Sequence, residues 1–413
     1  MEVVEDIVIV GAGIAGLTTS LGLHRVGIRS LVLEASDSLR TTGFAFITWT
    51  NAWKALDAVG IGDSLRQQHE RLFGISTTST ISGVQTSEMS FETKGKQGNH
   101  EVRCVVRKIL LEALSKELPS GTIRFSSKVV SIEESGFFKL VHLDDGTILR
   151  AKVLIGCDGV NSVVGKWLQL EKPAFTGRYA IRGCAFFKES HGFEPKFLQF
   201  FGEGVRSGIL PCNGNTVYWF FTWTPSNQEK EMDKNPAEMK QFVLSKLGRM
   251  PDKVKAVMEN TALDSILSSP LRYRNPLALL RGNISRGNVC VAGDALHPMT
   301  PDIGQGGCSA LEDGVILAMC LAEALLKEPS KEEKKKGEEQ KEAHQRIEMG
   351  LKKYAKERKW RSFELISTAY LVGYLQQSDG KVMTFLRDKC FAKFLAGLLL
   401  KKADFDCGTL SLS

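Results

Sequence analysis

The chain has 413 residues, 43% of them hydrophobic and 24% charged, a composition that excludes a disordered or fibrous protein and predicts a globular one with a large core and at least two domains. The net charge of +7 comes from 54 basic and 47 acidic residues with no basic stripe interleaved with aromatics, so nucleic acid is not expected as a partner. Nine cysteines without a C-x-x-C pair argue for free thiols in a reducing compartment, and seven histidines without ligand spacing give no reason to expect a metal.

The chain opens on Glu2, Glu5 and Asp6 and enters a strand at once, so no leader peptide is expected and the cytoplasm is the default location. Ile7 to Val10 is a short β-branched run suited to a strand buried on both faces. Gly11-Ala12-Gly13-Ile14-Ala15-Gly16 follows. Its glycines allow a tight turn, close approach of the backbone to a pyrophosphate, and close packing of a following helix whose first amides face the anion. Ser30 to Leu33 reads as the second strand, and Glu34 at its end can accept ribose hydroxyls while repelling a 2′-phosphate. The tightly held dinucleotide is therefore not expected to be NADPH, but this station alone leaves NAD and FAD open.

Val153 to Ile155 reads as another buried strand, running into Gly156-Cys157-Asp158-Gly159 with Asn161 and Ser162 beyond. Residues 175–224 then change character, with aromatic and β-branched positions broken by glycine turns, densest in Val217 to Trp223. This pattern predicts an antiparallel sheet with one face on a pocket and the helical stretch Ala237 to Leu247 packed nearby. Val289 to Ala292 is a third apolar strand, ending in Gly293-Asp294, whose aspartate suits a ribityl hydroxyl. The stiff loop Pro298 to Pro301 leads through Gly304, Gly306 and Gly307 into a helical pattern from Ala310 to Leu326. That helix would aim its positive end at the loop, stabilising a reduced flavin's negative charge by about 0.3–2 kcal/mol. Three stations suited to three parts of one flavin dinucleotide point to FAD.

Beyond them, Lys327 to Glu348 is a Lys/Glu-rich tether with no chemistry of its own. Phe391 to Leu400 is too short for a membrane span of ~20 residues and reads as a helix packed on the surface, so membrane association is not expected.

On Gly156-Cys157-Asp158-Gly159-Val160-Asn161-Ser162 and Gly293-Asp294-Ala295-Leu296-His297-Pro298, the chain resembles the class A flavoprotein aromatic hydroxylases, the para-hydroxybenzoate hydroxylase-like family. Asn51-Ala52-Trp53, Gly306-Gly307-Cys308 and Ala310-Leu311-Glu312-Asp313 look closest to its plant FAD-dependent monooxygenase branch. The resemblance implies an α/β fold: a Rossmann-like FAD-binding domain (1–75, 101–174 and 283–330), an antiparallel-sheet substrate domain (an excursion at 76–100, then 175–282), and a charged tether with C-terminal helices (331–413). It further implies that Arg107 approaches the FAD phosphates, that Arg40 and Ala35 lie near the adenosine end, and that Val130 meets the adenine through its backbone. Two departures are Lys166, where many members have arginine, and Cys308, where asparagine is commoner.

The reaction implied is hydride transfer from transient NADPH or NADH to FAD, then attack of a small, electron-rich ring on a flavin C4a-hydroperoxide formed with O₂. The positive net charge suits anionic cofactors or an acidic substrate. Aromatic content nominates Phe201, Tyr218 and Phe220 from the sheet, with Trp49 and Pro298, as pocket walls. Arg206 is either a carboxylate binder or a surface arginine, and His297 either a proton relay or a hydrogen-bonding element of its loop. Epoxidation or Baeyer-Villiger oxygenation on the same scaffold, and a non-catalytic protein stabilised by FAD, are the alternatives. Trp219 to Pro225 lacks the W-x-W-x-I-P pattern of flavin halogenases. The oligomeric state is not legible here.

Overall fold

The computed structural model describes residues 3–40, 44–96, 98–202, 204–226, 235–326, 336–377 and 392–410. The first strand, Val3–Val10, is central in an eight-stranded sheet and pairs in parallel with Ile148–Gly156 on one side and Leu31–Leu33 on the other. Ile7 and Ile9 enter one apolar core while Val8 and Val10 enter another, so both faces of the strand are covered. This double burial is what a continuous β-branched run requires.

Ile148–Gly156 has two partners along one edge. Its first half forms an antiparallel hairpin with Phe138–Leu143, and its last three residues pair in parallel with Val289–Val291. The register places Leu33, Val10, Gly156 and Val291 in one row across the sheet. All three glycine stations, far apart in the chain, thus leave adjacent strands at the same level, where ligands of open parallel sheets bind.

Helix Ile14–Arg25 packs against helix Gly306–Leu325 at very short range. A Cβ on Gly22 would sit 2.8 Å from that of Ala318, and one on Gly314 would sit 2.7 Å from that of Thr18. The second helix begins earlier than its apolar periodicity predicts, because the glycine cluster forms its first turn. A Cβ on Gly307 would meet the Phe46 ring at 2.6 Å, so glycine there is set by close packing and not by a loop conformation.

The second sheet has seven strands in the order Ile266–Tyr273, Ala174–Phe186, Thr216–Trp223, Val205–Asn213, Lys196–Gly202, Gly74–Ser79 and Gln85–Ser90. It is not wholly antiparallel as the composition suggested. Gly74–Ser79 pairs in parallel with Lys196–Gly202, since it joins from a separate excursion of the chain and not through a hairpin. Helices Pro236–Ser245 and Asp252–Glu259 cover one face through Met239, Val243, Val254, Val257 and Met258, leaving the opposite face turned toward the first domain.

The C-terminal part forms helices, as expected, with one of them longer and more deeply packed than its charge-rich opening suggests. Positions 327–335 of the expected tether and Phe391 lie outside the described residues, but Lys336–Gln377 is one helix of 42 residues. Gly350 lets it approach the Cys320 carbonyl, and Arg358 and Arg361 are buried in its interface. Ala392–Ala403 packs Leu399, Leu400 and Ala403 into the core. Among the described residues, no helix is long and apolar enough to cross a membrane, and no His/Cys/Asp/Glu group has the arrangement of a metal site.

Candidate dinucleotide cleft and substrate cavity

A cleft of about 500 Å³ opens along the carboxyl ends of the parallel strands. Gly11, Ala12, Gly13, Glu34, Ala35, Arg40, Arg107, Asp158 and Asp294 all border it. Gly11 has φ +103°, and a Cβ there would lie 2.4 Å from the Cys157 carbonyl oxygen. Gly16 is equally confined, 2.0 Å from the Gly11 carbonyl oxygen on the same test. Gly13 differs. No protein atom lies within 4 Å of the position its Cβ would take. Ile14 and Ala15 are buried in the first helical turn.

Glu34 holds the glycine turn itself, accepting from Ala12 N at 2.9 Å and Ser36 N at 3.0 Å, with Arg40 Nε at 3.8 Å. Each carboxylate oxygen keeps a lone pair for a ligand. Asp158 is more fully engaged: it accepts from Ser162 Oγ at 2.5 Å and from Val163 N at 2.6 Å, capping the short helix that follows. Asp294 is exposed and makes no side-chain hydrogen bond among the described residues. Arg107 is half-buried, its Nε has no hydrogen-bond partner, and burial, offset by Asp294 but reinforced by Arg182, lowers its pKa.

Val130, expected to meet the adenine through its backbone, directly follows the cleft-lining Val129. It is exposed and outside the lining, which is formed by Ser127, Lys128 and Val129, because strand pleating turns Val129 inward and its neighbour to solvent. Cys308 turns its thiol away toward the carbonyls of Ile47 and Gly304, 3.6 and 3.5 Å away, and burial raises its pKa to about 12. Gly306 and Gly307 sit in the first helical turn, whose amides have no intrahelical partner.

A bare glycine in the cleft wall, a buried guanidinium edge without a partner and unpaired helix amides fit an anionic dinucleotide. FAD fits this set.

The third station is braced by the Lys336–Gln377 helix. Asp313 Oδ2 accepts from Gly293 N at 2.7 Å and His297 Nε2 at 2.6 Å, while its Oδ1 accepts from Arg358 Nε at 2.6 Å. Arg358 also meets Glu312 at 2.8 Å, as does Arg361, and Asn51 donates to both Glu312 and Gln305. His297 is buried and hydrogen-bonded into this brace through Nε2, while its Nδ1 has no partner. Burial alone would raise the Asp313 carboxyl, but His297 and Arg358 outweigh it and hold the pKa at about 2.

A carboxyl depressed in the folded state contributes stability above its unfolded pKa of 3.8 and loses it as pH falls through the folded value. Urea unfolding measured from pH 5 down to pH 2 should therefore show a loss of roughly 2 kcal/mol that Asp313→Asn lacks.

The second sheet's inner face lines a cavity of about 80 Å³. Its register sets three rows: Ala180, Thr222, Arg206 and Phe201; Arg182, Phe220, Gly208 and Gln199; Cys184, Tyr218, Leu210 and Phe197. A Cβ on Gly208 would collide with Phe220 at 2.4 Å and Phe197 at 2.8 Å, so this glycine makes room for both rings. Phe46, Ile47 and Trp49 close the cavity from the first domain, Pro301 to Gly304 from the third station, and Leu399 from the C-terminal helix.

Tyr218, Phe220 and Trp49 border this cavity, but Phe201 and Pro298 do not. Phe201 occupies the end of its row beyond the cavity, where Phe197 lines it instead. Pro298 lies on the far side of its loop, its carbonyl bonded to Arg274 N at 3.0 Å, and Pro301 faces the cavity. Arg206 is neither exposed nor free. Its Nη1 meets Asp302 at 3.0 Å, Arg178 meets the same carboxylate at 2.7 Å, and its guanidinium stacks 4.8 Å from the Phe220 ring centroid. Arg182 and Gln199, missed in the sequence, line the cavity too; a polar residue alternating with apolar ones on an inward face was the available signal.

The model of the FAD binding domain family matches residues 5–346. The chain belongs to that family, as a class A FAD-dependent monooxygenase of the plant branch. It is 58% identical over 405 residues to Monooxygenase 2 of Arabidopsis thaliana, covering 98% of each chain, and 38% identical to Monooxygenase 1 of the same plant, covering 98% of this chain and 99% of that one. Klebsiella pneumoniae HpxO complexed with FAD and uric acid shares the fold, with a TM-score of 0.82 and 21% identity over 98% of each chain.

Proposed function

We propose that this monooxygenase consumes NADPH or NADH and inserts one atom of O₂ into a small aromatic substrate held in the cavity beneath the second sheet. The observation that carries this reading is the position of the cavity. It lies between the loop leading into the Gly306–Leu325 helix and a wall of Phe197, Tyr218 and Phe220. FAD, when bound, supplies acceptance of a hydride and reaction of its reduced form with O₂.

The chain supplies the rest. The unpaired amides at Gly306 and Gly307 favour negative charge without a charged side chain. Phe46, Ile47 and Trp49 exclude water, and the aromatic wall orients a ring. The volume is about half the ~150 Å³ of an engineered cavity that accepts benzene, which favours a small substrate. A relative 27% identical over 317 residues is named FAD-dependent urate hydroxylase, and urate, a fused bicycle, supports a small planar substrate without deciding the number of rings.

Anaerobic mixing of the yellow protein with NADPH or NADH should bleach its visible absorption, at least about tenfold faster when a fitting ring from a pool of phenolic acids is present. A flavin that neither nicotinamide reduces, with or without the pool, would falsify the proposal.

A further inference from the structure

Two buried cysteines from different domains meet behind the cavity. Cys212 Sγ donates to Cys104 Sγ at 3.3 Å, although the two residues stand 108 positions apart, and both side chains are fully buried. Cys104 sits in the strand Arg103–Val106, directly opposite Ile47 of its antiparallel partner Ala45–Thr48. Cys212 is the extra residue of a β-bulge between Pro211 and Asn213, off the ladder that its strand makes with Thr216–Trp223. A bulge re-aims the residue it inserts. Here it leaves the Cys212 carbonyl to accept from Glu70 N of the first domain at 3.0 Å. Cys212 Sγ also lies 3.8 Å from the Leu210 carbonyl oxygen. Ile47 and Leu210 both line the substrate cavity, so the thiol pair lies just behind its wall.

Burial, and then the contact with Cys212, push the Cys104 thiol well up, which keeps it protonated and slow toward oxidants in bulk water. An oxidant formed inside the cavity is met at far higher local concentration. Reduced flavin that reacts with O₂ when nothing is there to be oxygenated yields hydrogen peroxide, which is small enough for this space. We propose that Cys104 and Cys212 are a peroxide-oxidised dithiol whose disulfide clamps the first domain to the second sheet behind the cavity. One sulfur attacks the peroxide: an S–O bond forms, the O–O bond breaks, and the thiol proton leaves with the departing oxygen as water. The other sulfur displaces the new hydroxyl, so the S–S bond forms, the S–O bond breaks and a second water leaves. Two thiols lose two electrons and the peroxide gains them. A bond of ~2.0 Å needs the sulfurs only about 1.3 Å closer than they stand. The supply of peroxide from within rests on the monooxygenase reading above; the thiol pair does not.

The test takes the FAD-loaded protein, reduced with dithiothreitol and then freed of it, through two arms. One receives hydrogen peroxide; the other receives NADPH or NADH with air and catalase but no aromatic substrate, so that only peroxide used before it escapes can act. Free thiols are trapped with N-ethylmaleimide in denaturant and the peptides mapped. A Cys104–Cys212 linked peptide should appear in both arms, and in the nicotinamide arm at least about tenfold faster than in air alone. The oxidised protein should unfold about 3–6 °C above the reduced one, a gap that dithiothreitol abolishes and that Cys104→Ala and Cys212→Ala both lack. Absence of the linked peptide from both arms overturns the inference, as does sulfinic acid on either cysteine in place of the bond. Linkage by added peroxide alone, in a protein whose flavin the nicotinamides bleach, upholds the dithiol and overturns its supply from within. A flavin that stays oxidised in the nicotinamide arm, while added peroxide still forms the bond, counts against the monooxygenase reading and not against the dithiol.

Discussion

Arg358→Ala is expected to destabilise the protein by about 3–5 kcal/mol and to release FAD, the largest effect of any single truncation outside the glycine turns. The side chain is fully buried and bridges two carboxylates, Glu312 and Asp313, that are themselves fully buried. Removing it leaves both short of a partner in a medium where an uncompensated ion is far costlier than the pair was worth. The loss spreads because Asp313 also holds Gly293 N and His297. Arg358→Lys should fail nearly as badly, since an ammonium lacks the planar fork that reaches Asp313 through Nε and Glu312 through Nη2. The measurement is the urea midpoint together with flavin retained on gel filtration. A decisive control is Arg358→Met combined with Glu312→Gln and Asp313→Asn, which removes the buried charges along with their partner. It should recover much of the stability, and a triple variant as unstable as the single one would show that packing, not charge, sets the cost.

Gly13→Ala is expected to fold normally and to lose FAD affinity by more than about a hundredfold, or about 2.7 kcal/mol. The added methyl touches nothing in the protein and projects where backbone must meet pyrophosphate. Gly11→Ala provides the contrast. Its methyl would strike the Cys157 carbonyl at 2.4 Å and demand φ +103°, so it should disrupt the sheet edge whether or not the cofactor is present. Thermal unfolding of the two apoproteins separates them: an unchanged midpoint for Gly13→Ala with lost flavin binding assigns that glycine to the ligand, whereas a lowered midpoint would assign it to the fold.

The parts of the molecule that local chemistry dictates could be read without coordinates. A β-branched run ending in glycine announces a buried parallel strand, and the three stations each carry that signature before the sheet aligns them in one row. Pairings between distant residues could not be read. Arg206 and Arg182 look alike in sequence, and only the contact of Arg206 with Asp302, 96 positions away, shows which of them is already neutralised. Phe197 displaced Phe201 although both lie on the inner face of one strand, because Phe201 stands at the end of its row beyond the cavity, and the composition of a segment does not say how far along a strand a cavity extends; Pro301 displaced Pro298 because their loop presents only the former to the cavity. C-terminal helices were legible, but the burial of the long one was not. Its Lys/Glu-rich opening reads as solvated, which hid the burial of Arg358 and Arg361 further along.

The late part of the sequence does more than brace. Leu399 forms part of the cavity wall, and Arg361 is tied to the Lys402 carbonyl at 2.8 Å. On the ribosome, where the chain emerges from its N-terminus, the first domain and both sheets are synthesised before the residues that seal the cavity. A nascent chain can therefore assemble its nucleotide cleft while its substrate chamber still gapes to water. The chamber closes with the Ala392–Ala403 helix, and a chain that ends after the Lys336–Gln377 helix would keep Arg358 and bind flavin without a closed reaction chamber.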